Sequence, residues 1–441
     1  MSRAAGPRGA PVGRPGLTAV MLLAVVVLLG LGMAHILRVA PLQVVVAHED
    51  PAGPPAVSDP RFLETVAALS ETPVLPSNAV VVLTNGDETF PRLFADLRAA
   101  RRSITVQAYY GKAGVVADSV FGILVERARS GVLVYFLFDA FGADPLPDRF
   151  ERGLYEAGVH VAAFRPFRWW ELDRVSHRSH TRAIVVDGRI GYTGGFGFDD
   201  KWLGGGRQPG QWRDTNVRFT GPAVPQLQAA FAEEWAEATG ELVMGDRLFP
   251  AAAGTEAGTQ VAGLLHSVPS SGTSPAERAL ALSIAGARRT LYISNSYFLP
   301  NASFRRLLAQ AAGRGADVRV LTNSRETDVS LTRLAGRSYY AELLEAGVRI
   351  YEYQPTMMHA KTLVADGVWA IIGTLNFDNR SLALNNEVSL LVLDRRTGAA
   401  MDSLFLADLR SAREIGLAEF RARPWHERVR EWGASQLARV L

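Results

Sequence analysis

The sequence predicts an α/β protein of two similar halves that share one central active site, preceded by an N-terminal transmembrane helix. Each half is expected to hold a mixed sheet flanked by helices. Three observations support this fold class. An internal repeat covers most of the chain, strand-like apolar runs alternate with amphipathic stretches inside each copy, and a long uncharged segment lies near the start of the 441 residues.

The N-terminal apolar segment, residues 17–37, has the composition of a transmembrane helix. It contains no Asp, Glu, Lys or Arg, and at about 1.5 Å per residue it is long enough to cross a bilayer. The tail 1–16 is basic, so the positive-inside rule places it in the cytoplasm and the catalytic body on the far side of the membrane. A cleaved signal peptide is the alternative, but no small-residue cleavage site closely follows the segment. The proline-rich residues 38–76 are predicted to form an extended linker.

The internal repeat defines the domain plan. Leu154–Pro166 matches Leu343–Pro355, and Arg101–Tyr110 matches Arg288–Tyr297. Each copy is long enough to build its own core. The expected divisions are a first domain at 77–241, a linker at 242–260 and a second domain at 261–441.

A short motif occurs once in each half. It has a histidine, a cation two residues later and an aspartate seven residues later: His180, Arg182 and Asp187 in the first half, and His359, Lys361 and Asp366 in the second. The offset between copies is 179 residues (359 − 180 and 366 − 187). At the same offset, Gly194-Gly195 corresponds to Gly373-Thr374. Two copies at one offset inside a wider repeat favour a single site assembled from two halves.

The spacing of the motif suits phosphoryl transfer. Each motif runs into a short apolar stretch, predicted to be a buried strand, and residues two apart on a strand share a face. Each histidine therefore points the same way as its cation. Imidazole serves as nucleophile or as acid and base near neutral pH, and the cations stabilise the phosphoryl oxygens. The carboxylates and histidines do not have zinc-site spacing, so a metal-free covalent mechanism with no cofactor is expected.

The two motif aspartates are included among the candidate catalytic residues, but their position favours another role. Asp187-Gly188 and Asp366-Gly367 are strong turn dipeptides between apolar runs. An aspartate in such a turn is commonly structural, because its side chain bonds to nearby backbone.

Composition narrows the function classes. The chain has no cysteine, which excludes disulfides and thiol catalysis. Its net charge is +3 and its pI about 9.2. This mild excess suits an anionic membrane surface or a phosphate-bearing substrate, and no nucleic-acid partner is expected. The sequence does not specify the oligomeric state.

Longer strings around these motifs resemble the phospholipase D superfamily, and within it the bacterial cardiolipin synthases. The resemblance covers nearly everything after the linker. The strings are Arg337–Tyr340, Glu345–Tyr353, His359–Lys361, Asn376–Leu382 and Asn385–Val388 in the second half, and Trp212–Thr215 and Phe231–Trp235 in the first.

The resemblance implies a two-step mechanism through a phosphohistidine. His180 would be the nucleophile and His359 the acid and base, although the two roles are open to reversal. The residues expected to bind substrate are Arg182, Lys361, Asn376, Gly195 and Thr374. The acidic residues expected to orient the histidines are Asp214 and Glu387.

The first motif departs from the family pattern at two positions. Arg182 replaces the usual lysine, and a planar guanidinium is not equivalent to an ammonium at a tight site. Gly197 stands where an asparagine is usual, which removes one polar contact. Both changes leave His180 in place, so we expect activity with an altered substrate preference.

The function implied is an anchored phosphatidyltransferase that transfers a phosphatidyl group to an alcohol, with phosphatidylglycerol as the expected substrate. Three alternatives remain open. They are a phospholipase D that passes the intermediate to water, a nuclease of the same superfamily, and a catalytically impaired paralogue that binds lipid.

Overall fold

The computed structural model describes residues 15–36, 53–109, 111–141, 148–167, 169, 176–251, 258–269 and 273–437. The predicted tail 1–14, part of the linker (37–52) and part of the inter-domain linker (252–257) therefore lie outside the described residues. The helix α1 (Pro15–Ile36) belongs to a unit that ends at Ala40, and the remainder of the chain forms a second compact unit.

The helix α1 covers most of the predicted transmembrane segment. Side-chain exposure is described only for its residues 19–30, which are exposed. Within the described part of the chain, no helix is both long enough and apolar enough to cross a membrane.

The second unit alternates strands and helices. Within the described residues its helices are α2 (Pro60–Leu69), α3 (Asn85–Ala99), α4 (Val115–Arg129), α5 (Asp148–Glu156), α6 (Val224–Thr239), α7 (Pro275–Gly286), α8 (Ala302–Gly313), α9 (Ser330–Arg337), α10 (Tyr340–Glu345), α11 (Asn379–Ala383), α12 (Arg395–Leu409), α13 (Leu417–Arg421) and α14 (Trp425–Ser435). A short 3-10 helix spans Asp200–Trp202.

The strands of the first half are β1 (Leu75–Thr84), β2 (Ser103–Ala108), β3 (Leu133–Asp139), β4 (His160–Phe164), β5 (Ala183–Val186), β6 (Ile190–Gly194), β7 (Trp212–Arg213) and β8 (Thr215–Thr220). Those of the second half are β9 (Gln260–Ser267), β10 (Thr290–Asn295), β11 (Asp317–Asn323), β12 (Arg349–Tyr353), β13 (Met357–Met358), β14 (Lys361–Ala365), β15 (Trp369–Gly373), β16 (Glu387–Leu393) and β17 (Ala412–Glu414).

Fifteen of the described strands form one mixed sheet, in the order β17-β12-β11-β10-β14-β15-β16-β9-β1-β8-β6-β5-β2-β3-β4. The strands β2, β3 and β4 run parallel, as do β10, β11 and β12. The halves meet where β1 pairs antiparallel with β9. The predicted α/β architecture, a mixed sheet flanked by helices, is therefore observed, with the two half-sheets continuous.

A core cluster beneath the centre of the sheet draws residues from both halves. It includes Val217 and Phe219 from β8, and Leu390 from β16. These side chains are fully buried, so burial of apolar surface stabilises the association of the halves. The relative position of the two motifs is fixed in this way.

The N-terminal boundary of the body differs from the predicted linker 38–76. Asp59 caps the helix α2, and Pro60 occupies its first turn, the position where a fixed φ favours a helix. Phe62 and Val66 on this helix are buried in the core of the second half. The proline-rich segment thus contains the start of a helix, and the packed body begins before residue 77.

Candidate active site

Each motif histidine lies immediately before a strand and is held by a segment of the other half. The His180 backbone N–H donates to the Asn386 carbonyl at 2.9 Å, and the His359 N–H donates to the Arg213 carbonyl at 2.7 Å. The sequence predicted that both histidines lie on buried strands, but β5 begins at Ala183 and β14 at Lys361, a few residues after each histidine. The cause is that these extended segments pair across the two halves, as in the parallel pair β13–β7.

The two imidazoles are oriented by carboxylates that are exchanged between the halves. His180 Nδ1 lies 2.9 Å and 3.0 Å from the Glu387 carboxylate oxygens. His359 Nδ1 lies 2.8 Å from Asp214 Oδ2. All four side chains are buried. Neither histidine is thus correctly placed unless both halves are folded and joined.

The carboxylate of Glu387 receives further hydrogen bonds. Ser381 Oγ donates to it at 2.6 Å, and Thr374 Oγ1 also donates to it. Thr374 is fully buried. The structure therefore places this residue, a predicted substrate contact, against the orienting carboxylate.

The carboxylate of Asp214 is held by different groups. Trp202 Nε1 donates to it at 2.9 Å, and the Thr215 backbone N–H donates at 2.8 Å. Gly195, the other predicted substrate contact from the glycine pair, leaves space for this carboxylate. A Cβ at Gly195 would lie 2.3 Å and 2.4 Å from its oxygens, which is far too close for any other residue.

The motif cations have distinct contacts. Arg182 Nη1 donates to His180 Nε2 at 3.1 Å, which requires that the His180 proton lie on Nδ1. Lys361 Nζ donates to Ser296 Oγ at 2.7 Å and to the His359 carbonyl at 2.7 Å. Ser296 Oγ lies 3.2 Å from Asn376 Oδ1, so Asn376 belongs to the same polar group.

Both histidines line one cavity of about 400 Å³. Its lining includes Arg182 and Asn376, together with aromatic side chains from both halves: Tyr109, Phe141, Trp202, Trp212 and Tyr297. Within the described residues, no group of three or more His, Cys, Asp or Glu side chains is placed to hold a metal ion. The cavity combines cations with apolar walls, as expected for an amphiphilic anion.

Burial dominates the electrostatics of the cavity. Burial, together with Lys361 and Arg182, holds the pKa of both His180 and His359 well below its usual value. Burial likewise lowers the pKa of Lys361 to about 7. Removal of cations from water is costly unless an anion is present. The site is therefore prepared for a negatively charged ligand.

The orienting carboxylates are shifted in the opposite direction. Burial raises the pKa of Glu387 to about 8 and that of Asp214 to about 6. Because three donors converge on Glu387, we assign a single shared proton to the Glu387–His180 pair near neutral pH.

The motif aspartates do not line this cavity. Asp187 accepts hydrogen bonds from the backbone N–H groups of residues 101–103, and Asp366 does the same for residues 288–290. Both aspartates have positive φ, +54° and +53°. They stabilise the hairpin turns and the starts of β2 and β10.

Sequence reasoning missed four residues of the site. Trp202 and Ser381 support the two orienting carboxylates, and Lys201 and Arg380 line the cavity. A signal was present, because the members of each pair are again separated by 179 residues. Extending the repeat beyond the glycine pair would have identified them.

The crossed histidine–carboxylate pairs and the duplicated sheet define a phospholipase D-like phosphoryl-transfer protein. Residues 280–409 match the family model described as "Cardiolipin synthase, PLD-like domain". The cardiolipin synthase of Geobacillus kaustophilus is 35% identical over 382 residues, with 86% of this chain and 76% of that protein covered. Cardiolipin synthase A of Pseudomonas putida is 34% identical over 358 residues, covering 80% and 73%. The chain belongs to the cardiolipin synthase family.

A solved structure supports the fold independently. Phosphatidylserine synthase of Haemophilus influenzae superposes with a TM-score of 0.64 over 86% of this chain and 100% of that one, at 13% identity. These findings confirm the resemblance drawn from the sequence, and the chain is an enzyme of the phospholipase D superfamily.

Proposed function

We propose that the protein transfers a phosphatidyl group from one phosphatidylglycerol to the hydroxyl of another, forming cardiolipin and glycerol through a phosphohistidine. The observation that carries the proposal is the pair of crossed contacts His180–Glu387 and His359–Asp214 around one cavity. This arrangement supplies a nucleophile and an acid on opposite sides of one phosphate.

In the first step His180 Nε2 attacks phosphorus. An N–P bond forms as the P–O bond to the leaving glycerol breaks, and His359 donates its Nε2 proton to the leaving oxygen. Substrate binding favours the protonated form of His359 that this step requires. The phosphodiester anion offsets the positive charge of the cations that, with burial, hold the His359 pKa down. Asp214 then stabilises the imidazolium across the 2.8 Å contact.

In the second step the acceptor hydroxyl attacks the phosphohistidine. His359, now neutral, takes the hydroxyl proton. The new P–O bond forms as the N–P bond breaks, which returns His180 to its starting state. The same histidine thus serves as acid and then as base, as microscopic reversibility requires.

Arg182 has to change partner during the reaction. Its guanidinium donates to the His180 Nε2 lone pair at 3.1 Å. A non-bridging phosphoryl oxygen is a stronger acceptor for a guanidinium. The bound substrate therefore draws Arg182 away and frees the nucleophile, while Lys361 stabilises the second oxygen.

A membrane location accords with exposed apolar side chains on the catalytic body. Phe141, which lines the cavity, is 54% exposed. On the helix α14, Trp425 and Trp432 are 74% and 64% exposed, and amphipathic aromatic residues favour the bilayer interface. The proposed topology has the tail 1–16 in the cytoplasm and the catalytic body outside it. Protease cleavage of a C-terminal tag in intact spheroplasts would support this topology, and protection until lysis would contradict it.

The central test is incubation of the purified chain with labelled phosphatidylglycerol in mixed micelles. Wild type should form cardiolipin and glycerol, whereas His180→Ala and His359→Ala should form neither. His160→Ala is the matched control, because this histidine is exposed on β4. Phosphatidic acid as the main product would indicate a hydrolase, and the absence of product from any lipid would contradict an active enzyme.

A further inference from the structure

A second pair of cations lines the cavity and follows the same repeat as the motifs. Lys201 and Arg380 are 179 residues apart. Each follows an aspartate that caps a short helical turn, since Asp199 accepts from the Lys201 N–H at 2.9 Å and Asp378 accepts from the Ser381 N–H at 2.7 Å. Both halves thus present an outer cation on the same local structure, in addition to the cation of the motif.

The two outer cations lie near different histidines. Lys201 Nζ is 3.7 Å from the centroid of the Trp212 ring, and that ring is 4.8 Å from the His359 ring. Arg380 instead acts on His180, whose pKa it helps to lower after burial, Arg182 and Lys361. Each histidine therefore has its own outer cation.

Two carboxylates act on Lys201, which lines the cavity. The Asp199 carboxylate forms an ion pair with Nζ at 4.0 Å. Asp328 also acts on this lysine, but its carboxylate accepts the Tyr297 hydroxyl at 2.8 Å. The Lys201 side chain is 19% exposed, and burial lowers its pKa to about 8 despite these carboxylates. An anion beside it would restore the charged form.

The proposed reaction brings two phosphodiesters into one cavity. The phosphoryl group under attack is held by the motif cations, Arg182 and Lys361. The acceptor lipid carries its own phosphate, one glycerol away from the attacking hydroxyl. That hydroxyl must reach His359, so the acceptor phosphate has to lie on the His359 side.

We propose that Lys201, whose ammonium group packs on the Trp212 ring beside His359, binds the phosphodiester of the acceptor lipid. The inference rests on the proposed function. In this role Lys201 selects an acceptor alcohol that carries a phosphate over one that does not. Because the reaction is reversible, the same residue binds the departing lipid when cardiolipin is the donor.

Two assays on the full-length chain separate this role from general catalysis. One measures cardiolipin formed from phosphatidylglycerol. The other measures exchange of labelled glycerol into phosphatidylglycerol, a transfer to an acceptor that lacks a phosphate. Lys201→Ala should lower cardiolipin formation by about 10- to 100-fold, the loss typical of one charged contact, and lower exchange only a few-fold. Lys201→Arg should recover most of the loss, and Arg396→Ala, an exposed cation on α12 outside the cavity lining, should behave as wild type.

The remaining outcomes are distinguishable. Equal losses in both assays would overturn the assignment, because Lys201 would then act on the transferred phosphoryl group. A selective loss in Arg380→Ala, with Lys201→Ala unaffected, would move the acceptor site to the His180 side and also overturn it. If wild type shows neither reaction, the proposed function fails first.

Discussion

The two halves of the active site perform the same task with different residues. On one side Glu387 orients His180 and is held by hydroxyl groups of Thr374 and Ser381. On the other, the shorter Asp214 orients His359. Gly195 stands where Thr374 does in the repeat, and Trp202 stands where Ser381 does. The shorter carboxylate requires the glycine, since a Cβ there would meet its oxygens. The duplication has therefore preserved the contact with the imidazole rather than the residues that make it.

The cations differ in a similarly coordinated way. Lys361 contacts Ser296, which in turn contacts Asn376. In the first half Arg182 lies near the ring of Tyr109, 5.8 Å from its centroid. Tyr109 is the counterpart of Ser296 in the repeat, and Gly197 is the counterpart of Asn376. In the first half a guanidinium and an aromatic ring thus occur together with loss of the asparagine side chain.

The largest expected effect separates the two histidines. His180→Ala should lower transfer by about 10⁴-fold or more, as for loss of a nucleophile. With a phosphatidyl ester of p-nitrophenol, whose leaving group needs no proton, His359→Ala should still form the phosphohistidine and then stall. The measurement is trapping of labelled phosphoenzyme after rapid quenching. Labelled intermediate in His180→Ala and none in His359→Ala would show that the roles are reversed.

The exchanged carboxylates provide the next comparison. Glu387→Gln should slow formation of the phosphohistidine, and Asp214→Asn should slow the steps that use His359, each by about 10²–10³-fold, since a proton-transfer partner is impaired. Burst kinetics with the p-nitrophenyl ester should then show a lost burst in Glu387→Gln and a preserved burst in Asp214→Asn. The same defect in both variants would mean that each carboxylate serves the whole site rather than one histidine.

The sequence predicted local features well and long-range contacts poorly. The Asp187-Gly188 turn was recognisable because its residues specify the turn by themselves, and β5 and β6 flank it as expected. The crossing of Glu387 to His180 depends on the register of β16 against β9 and on the join between β1 and β9. Such pairings join segments far apart in the chain, and no local pattern encodes them. The helix α2 was missed because the prolines of residues 38–76 were interpreted as those of an extended linker, whereas Pro60 lies in the first turn of the helix.

A smaller effect tests whether the departures of the first motif are coupled. Arg182→Lys alone should lower activity by about 10-fold, because a flexible ammonium does not reproduce the planar guanidinium beside Tyr109. Adding Tyr109→Ser and Gly197→Asn, which copies the second half, should recover most of the loss. The measurement is kcat/KM for the single and triple variants. Arg189→Lys, in the turn of the same hairpin, is the control, and a triple variant worse than the single one would show that the three positions act independently.

The smallest expected effect on activity concerns what lies beneath each motif. Thr181, between His180 and Arg182, donates to Glu234 at 2.7 Å, and Glu234 also faces His266 at 3.4 Å. At the matching position of the second motif stands the apolar, buried Ala360. The first motif is thus supported by a network of charged side chains, whereas the second is supported at this position by apolar packing.

This contrast predicts a pH dependence of stability that arises beneath the first motif, where His266 of β9 faces Glu234. Burial alone would lower the His266 pKa, but the facing carboxylates of Glu233 and Glu234 override it and raise the pKa to about 9. A raised folded-state pKa stabilises the protonated form, so the contribution is fully present below about pH 6.5 and is lost as pH rises through about 9. Its size is about 3 kcal/mol in the free energy of unfolding.

Thermal unfolding of wild type and His266→Gln across this pH range measures the contribution. The wild-type advantage in melting temperature should be greatest near pH 6 and should shrink steadily towards pH 9. His160→Gln serves as the control, since that histidine is exposed on β4. A difference that stays constant with pH would mean that His266 acts by packing, and both motifs would then be supported by packing rather than by charge.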